Sequence, residues 1–581
     1  MIISKSSLNL TPSCCGIWLI VWAIGAIVPT LSYGQEEDDL LGPLADPAAT
    51  TEQTNVPPQG GPPQGQSGQG QSGQGQEGPL TPEQRQQQLA QAFNAGMEMM
   101  GEGNHGQAIR IFSAIIASES RAWQAYLQRG IAFGRLGMNQ MALDSLSRAE
   151  AIQKTAPIIF FERGKIYLSI EEFGNAIEDL QRAVELDPIN SEYMTKFGAA
   201  LVSFAREGAA LGSADYFNDY VRAVTTLDLA IEAIESQEPP ATPIEEPADV
   251  EGEEGEEIAE SPPQQAPQED PEVVQSRLAE AYYNLGLAKQ ALNDSEAALN
   301  DLQKASELQP SNTEYLRQLG LSYLQQGNSD AFVHRHDYDK ITANFQQGIA
   351  ALSSVLEVAS DVDEGAEPPA KQYDLQEEKR LRTEILLTRA YAQINLASYL
   401  PQDERPSKYE AAIVDCDEAI ELDPRQSNGH HTRGIALRML GKLHDAIDAF
   451  TEANRLSPLE TAESVFRRGI VWFHLGEYDM AMADFESVST RDSRANLWKG
   501  ILLSQGGEHE QAVSAYSEAL RFSPNYVLAY SNRGLVYMQL GRYEEAREDF
   551  ESLLRLNQDD RIARQRRDLA REMLARYPDS R

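Results

Sequence analysis

The 581-residue chain is short of the residue types that chemistry usually needs. It holds eight His and three Cys. Cys14 and Cys15 precede an apolar run near the N-terminus and would leave with it. Cys416 then stands alone, and a lone cysteine makes no intramolecular disulfide. Positive charge is scarce: 49 Lys and Arg face 89 Asp and Glu, for a formal net charge of −40. So acidic a surface repels phosphate backbones, which argues against nucleic acid as a partner. Only one long apolar run stands out, the uncharged stretch Gly16–Val28 (GIWLIVWAIGAIV). That length suits the core of a secretory signal, whereas spanning a bilayer as a helix takes roughly 20 residues. Lys5 supplies the positive region before it. Ser32 and Gly34 are small residues at the −3 and −1 positions of a cut before Gln35. Residues 1–34 are therefore expected to be a signal peptide exporting the chain to the periplasm or the cell exterior. Left uncleaved, residues 16–28 would instead tether it to the cytoplasmic membrane.

No catalytic constellation is legible, and an enzyme is not expected. His334-Arg335-His336-Asp337 is the one cluster of metal-like composition, and it offers too few ligands for a zinc site. Gly68-x-Gly70-x-x-Gly73 matches a dinucleotide-binding pattern by letters alone, without the strand before it or the helix after it that the pattern needs. Carboxylates are too abundant for any pair to be informative. No metal site and no cofactor are expected. His105 and His509 occupy a slot held elsewhere by Tyr478 and Tyr543, at the rim of the core. His430 and His431 fall early in a helix, and packing accounts for Trp123, Trp472 and Trp498. Cys416 occupies a core position as a small apolar residue.

The chain does have repetition, which is sought first because it fixes the architecture. Gly164 is followed by Ala176, Leu180, Ala183 and Pro188; Gly434, at the same steps, by Ala446, Phe450, Ala453 and Pro458. Gly286 leads to Ala298, Leu302, Ala305 and Pro310, and Gly500 to Ala512, Tyr516, Ala519 and Pro524. Gly96, Gly130, Gly469 and Gly534 head four more copies. Gly96, Gly130, Gly164 and Gly198 recur at one constant interval, which Gly286 and Gly320, and Gly500 and Gly534, repeat. In QAVSAYSEALRF, Ala512, Tyr516, Ala519 and Leu520 share one face at helical spacing.

This pattern resembles the tetratricopeptide repeat over nearly all of residues 89–560. The resemblance implies an all-α superhelical solenoid of antiparallel helix pairs, A then B, about eleven in number. Gly at the eighth position and Ala at the twentieth would lie where A and B cross closely. Large residues near the eleventh and twenty-fourth would fill the space beside that crossing, and Pro at the thirty-second ends helix B. No unit buries its apolar face alone, so the units must stack. Three copies are interrupted at the A–B turn by insertions of roughly ten residues, read as surface protrusions or as longer helices. Their patterns restart at Tyr220-Val-Arg-Ala223, Tyr338-Asp-Lys-Ile341 and Tyr409-Glu-Ala-Ala412, the last after Ala390 in place of the glycine.

The expected layout follows. Residues 35–82, rich in Gln, Gly, Pro and Ser, form a disordered linker. Repeats 1–4 span 83–236, an acidic Pro-rich linker 237–271, repeats 5–6 272–358, a second acidic linker 359–372, and repeats 7–11 373–560. A basic capping helix takes up 561–581, with Ile562, Leu569, Met573 and Leu574 expected against the last repeat. AIEDLQRAVELDPINSEYMTKFG (176–198) against ALNDLQKASELQPSNTEYLRQLG (298–320) points to duplication of a two-repeat block.

The resemblance also implies a groove lined by helix A at the second, fifth, ninth and twelfth positions. The fifth and ninth read Leu127 and Ile131, Phe161 and Lys165, Tyr283 and Leu287, Phe466 and Ile470, Leu497 and Ile501. The Lys and Asn that clamp a partner's C-terminal carboxylate in some members of the family are missing there. An apolar, aromatic groove suits a helix or an extended apolar segment of a protein or peptide partner, although packing between repeats would call for the same residues. The expected function is an exported scaffold or adaptor for protein–protein interaction. An accessory subunit of an envelope enzyme and a self-assembling envelope protein are the alternatives.

Overall fold

The structure, a computed structural model, describes residues 81–213, 215–236, 269–333, 337–360, 375–458, 462–490 and 492–577. The expected signal peptide, nearly all of the first linker, the bulk of both acidic linkers and His334–His336 lie outside the described residues. Every regular element among the described residues is an α-helix. The chain divides into two compact units between Ala200 and Leu201, inside one helix.

In the unit that ends at Ala200, α1 (Pro82–Gly101) packs on α2 (His105–Ser118), α3 (Trp123–Arg135) on α4 (Asn139–Ile152), and α5 (Pro157–Ser169) on α6 (Phe173–Leu186). The dividing helix is α7 (Ser191–Ala210). The other unit continues with α8 (Tyr216–Glu235). Its pairs are α9 (Pro271–Ala291) with α10 (Ser295–Leu308), α11 (Thr313–Val333) with α12 (Tyr338–Ser360), and α13 (Leu375–Ala397) with α14 (Arg405–Leu422). There follow α15 (Ser427–Met439) with α16 (Leu443–Leu456), α17 (Ala462–Leu475) with α18 (Tyr478–Val488), α19 (Ser493–Gln505) with α20 (His509–Phe522), and α21 (Val527–Gln539) with α22 (Tyr543–Leu556). The last of the described helices, α23 (Arg561–Arg576), packs on α22.

The crossing has a specific steric cause. A methyl group added at Gly164 would lie 2.7 Å from Leu180 Cγ, and one at Gly500 2.6 Å from the Tyr516 ring. Gly96, Gly130, Gly286, Gly434, Gly469 and Gly534 meet Phe112, Leu146, Leu302, Phe450, Phe485 and Phe550 in the same way. The large residue at position 24 thus sits directly over the glycine rather than beside it, filling the space a side chain would take. The alanines at position 20 are fully buried, and their backbone comes close as well: the Ala298 carbonyl would be 3.1 Å from a methyl at Gly286.

Each regular A–B turn is closed by a residue in the left-handed region. Gly103, Gly137, Gly441, Gly476, Gly507 and Gly541 hold φ between 71° and 82°, while Glu171 and Asn293 adopt 61° and 64° at the equivalent place. At one of these turns the Met138 amide donates to the Phe133 carbonyl (2.9 Å) and the Gly137 amide to the Gly134 carbonyl (2.9 Å), satisfying the end of α3.

The insertions lengthen helices. α11 has 21 residues and α12 has 23, against 13 and 14 in α3 and α4. Here the register expected from Ile341 and Phe345 is corrected. Gly320 is covered by Leu352, which lies twice as far along the chain from its glycine as Leu180 lies from Gly164. Ile341 and Phe345 are buried in the extension, Phe345 against Gly327. In α13 and α14 the excess matches the expected insertion: Arg389 reaches Asp415, a separation of 26, where Arg163 reaches Asp179 at a separation of 16.

Candidate functional site

Neighbouring helices A touch one another: α1 with α3, α3 with α5, α13 with α15, α15 with α17, and α19 with α21. They set helices A side by side in the runs α1–α3–α5, α13–α15–α17 and α19–α21, and positions 2, 5, 9 and 12 lie along these runs.

The ten groove residues fall into two rows. At the fifth position Leu127, Phe161, Phe466 and Leu497 are buried, and Tyr283 is half-buried. Phe161 packs on Tyr193 (centroids 4.6 Å apart), and Phe466 lies under the Arg494 guanidinium at 4.4 Å and beside Phe485. These side chains join repeats. At the ninth position Ile131, Lys165, Leu287, Ile470 and Ile501 are half-buried and reach the groove surface. Lys165 spans its unit's groove wall, its ammonium 4.6 Å from the Phe161 ring and bonded to Glu162 at 2.8 Å.

Other polar groups share this face. The Tyr283 ring stacks on Tyr315, and its hydroxyl donates to Glu314 (2.9 Å), which Arg317 also binds through two nitrogens. Burial pushes the Tyr391 phenol and the Glu384 carboxyl up, Arg467 and Arg317 respectively opposing the shift. His431 Nδ1 lies 2.6 Å from the hydroxyl of fully buried Ser464; burial, reinforced by Arg467, holds its imidazole down to about 4. Among the described residues no group of three His, Cys, Asp or Glu could hold a metal ion. Burial pushes the Cys416 thiol well up, which leaves it protonated and unreactive.

Behind the groove runs a second constellation that was missed. The arginine just before the repeat glycine clamps an aspartate of its own helix B through two nitrogens. Arg163 binds Asp179 at 2.6 and 2.8 Å, Arg468 binds Asp484 at 2.9 and 2.6 Å, and Arg533 binds Asp549 at 2.9 and 2.7 Å. The remaining terminal nitrogen donates back to a hydroxyl of the preceding repeat: Ser147, Thr451 and Ser517 respectively. Arg389 does the same between Asp415 and Ser353. The signal was present in three of the recurring Arg-Gly pairs, at Arg163, Arg468 and Arg533, which have an aspartate at the same fixed step beyond the arginine, whereas Arg129 meets Ser145 there.

Models of the tetratricopeptide repeat match residues 159–190, 279–312, 431–495 and 527–560, and a TPR repeat model matches 500–541. This is a tetratricopeptide repeat protein. Human tetratricopeptide repeat protein 13 is 32% identical over 95 residues, which are 16% of this chain and 11% of that protein. The chain therefore spans about a ninth of that curated relative's length. Among solved structures, yeast Tom70 aligns at 13% identity, covering 85% of this chain and 97% of its own, with a TM-score of 0.31. A tetratricopeptide repeat protein from Parabacteroides merdae aligns at 16% identity over 51% of this chain and 99% of its own, with a TM-score of 0.34.

In this tetratricopeptide array the cap corrects an expectation. Ile562 and Leu569 are exposed, at 59% and 49%, while Ala563 and Ala570 are buried and Met573 and Leu574 are half-buried. α23 stands as a further helix A without its B among the described residues. Asp568 occupies the glycine position, with Arg564 and Arg571 four residues before and three after it on the face a helix B would cover. Ile562 and Leu569 thereby fall at groove positions 2 and 9.

Proposed function

We propose that this chain is an exported, non-catalytic scaffold that holds segments of other proteins along its helix A face. The observation that carries this reading is the set of half-buried apolar side chains at position 9, Leu287, Ile470 and Ile501 among them. Such a set offers i, i+3, i+4 anchors of a bound helix, or alternate side chains of an extended segment, an apolar surface to bury. The mixed charges beside it, Glu314, Arg317, Glu463 and Arg494, would set the orientation of the bound segment more than its affinity. Export rests on the apolar run at 16–28 and the small residues ahead of Gln35. No described helix is long and apolar enough to cross a membrane.

A photoreactive amino acid placed at Ile470 or Ile501 in the native cell is expected to capture a protein partner. The same group at Val414, which is 64% exposed on a helix B, should not. Equal capture at all three positions, or capture only at Val414, contradicts the groove reading. Export is checked separately by fractionating cells and sequencing the mature N-terminus: a cytoplasmic protein starting at Met1 overturns it.

A further inference from the structure

We propose that the cap end of the groove is a docking site for an amphipathic helix bearing apolar residues on one face and carboxylates beside them. This deepens the groove reading and rests on it. Leu528 at position 2 of α21 is 55% exposed, and Ile562 and Leu569 on α23 are 59% and 49% exposed. All three are groove positions of the last two described helices A. They continue the row that Ile501 and Leu535 begin, half-buried against a single core cluster. α23 is fixed to α21 at this point, because Arg566 donates to Ser531, the position-5 residue of α21, at 2.9 Å. The surface is therefore a continuation of the groove and not an isolated exposed face.

Charge names the occupant. The chain as a whole is strongly acidic, yet α23 carries six arginines against Asp568 and Glu572. Arg567, Arg571 and Arg576 are ion-paired, with Asp568, Glu551 and Glu572. Among the described residues neither Arg561 nor Arg566 has an ion-pair partner, Arg566 bonding only the Ser531 hydroxyl through its side chain. Arg561 directly precedes Ile562, and Arg566, four residues on, lies beside it on the same side of the helix. An apolar surface edged by unneutralised guanidinium groups selects a segment whose leucine-like anchors alternate with Glu or Asp, and it rejects the same anchors flanked by lysine. A bilayer of anionic lipid has related chemistry. A row continuous with a groove between helices fits a single helix better than a membrane surface does.

The test uses the full mature chain and a fluorescent helical peptide with leucines at i, i+3, i+4 and i+7 and glutamates elsewhere. The peptide is expected to bind, and Ile562→Asp or Leu569→Asp to weaken it by at least about tenfold. Leu229→Asp, at an exposed site on α8, should leave binding unchanged, and thermal melts should show all three variants folded. A peptide with lysine in place of glutamate should bind more weakly. Equal binding by wild type and the two cap variants overturns the site, as does tighter binding of the lysine peptide. Variant-sensitive binding to phosphatidylglycerol vesicles but not to the peptide assigns the surface to lipid and overturns it too. If a photoreactive group at Ile470 captures the glutamate peptide while the cap variants bind normally, the groove reading survives and the cap site falls. If the folded chain binds the peptide nowhere, the cap site falls, while the groove reading is still judged by the captures in the cell.

Discussion

At the scale of single residues, the glycines at position 8 hold the repeats together by having no side chain. Gly164→Ala would press a methyl group to 2.7 Å from Leu180 Cγ in a fully buried crossing. Denaturant unfolding should show a loss of about 1–3 kcal/mol, and shortening Leu180 to Ala in the same chain should recover part of it. Ala176→Arg, at the same crossing, adds the burial of a charge and should cost more. His431 gives a pH signature. Its folded pKa of about 4 lies below the ordinary 6.5. Between those values the unfolded chain takes up a proton that the folded chain refuses. Stability from this group is complete above pH 6.5 and falls as the pH drops toward 4, by about 2 kcal/mol at pH 5. Chemical unfolding of wild type and His431→Gln should show the variant losing less stability over that window.

The steric part of this was legible in the sequence because a close crossing leaves few choices of residue: glycine, alanine and a large apolar partner recur at fixed steps. The electrostatic part was not. With 89 acidic residues in the chain, the aspartates that meet Arg163, Arg468 and Arg533 do not stand out. The position-5 residues, Phe161 and Phe466 among them, could not be separated from the surface row at position 9, since apolar character serves both burial between repeats and an open groove.

At the scale of elements, turns and ion pairs set how firmly each helix pair is joined. Glu171 occupies a left-handed conformation, φ 61°, that glycine fills in six other repeats. That conformation costs a side-chain-bearing residue roughly 1 kcal/mol or more, so Glu171→Gly should raise the melting temperature and Gly137→Ala lower it. Asp549→Ala would strand Arg533, whose side chain is only 18% exposed, and should cost about 3 kcal/mol in unfolding experiments. The elements also show where sequence periodicity fails. Ile341 and Phe345 repeat at the right spacing to restart helix B, yet they belong to the added turns, and Leu352 does the expected work. On α23 two apolar pairs lie on different faces, Ile562 with Leu569 and Ala563 with Ala570. A helical pattern alone does not say which pair meets the neighbour. The smaller pair does: Ala563 and Ala570 are buried while Ile562 and Leu569 stay exposed.

At the scale of the whole molecule, stability is shared between neighbours. Each bridging arginine ties its own helix pair to the one before it, so damage at one place spreads outward through adjacent repeats. A chain ending at Asn557, without α23, should lose hydrogen-exchange protection first in α19–α22 and retain it in α9–α12. Uniform loss across both regions would show that the unit from Leu201 onward behaves as one cooperative block.

The aspartate at 568 has a bearing on how such a chain can grow. Copying a repeat and inserting it upstream reproduces a crossing that already works. Attaching one after α23 would bring a bulky side chain onto a carboxylate with arginines at either hand, and the new crossing would fail until residue 568 became small. Lengthening by duplication is therefore open within the array and barred at this end.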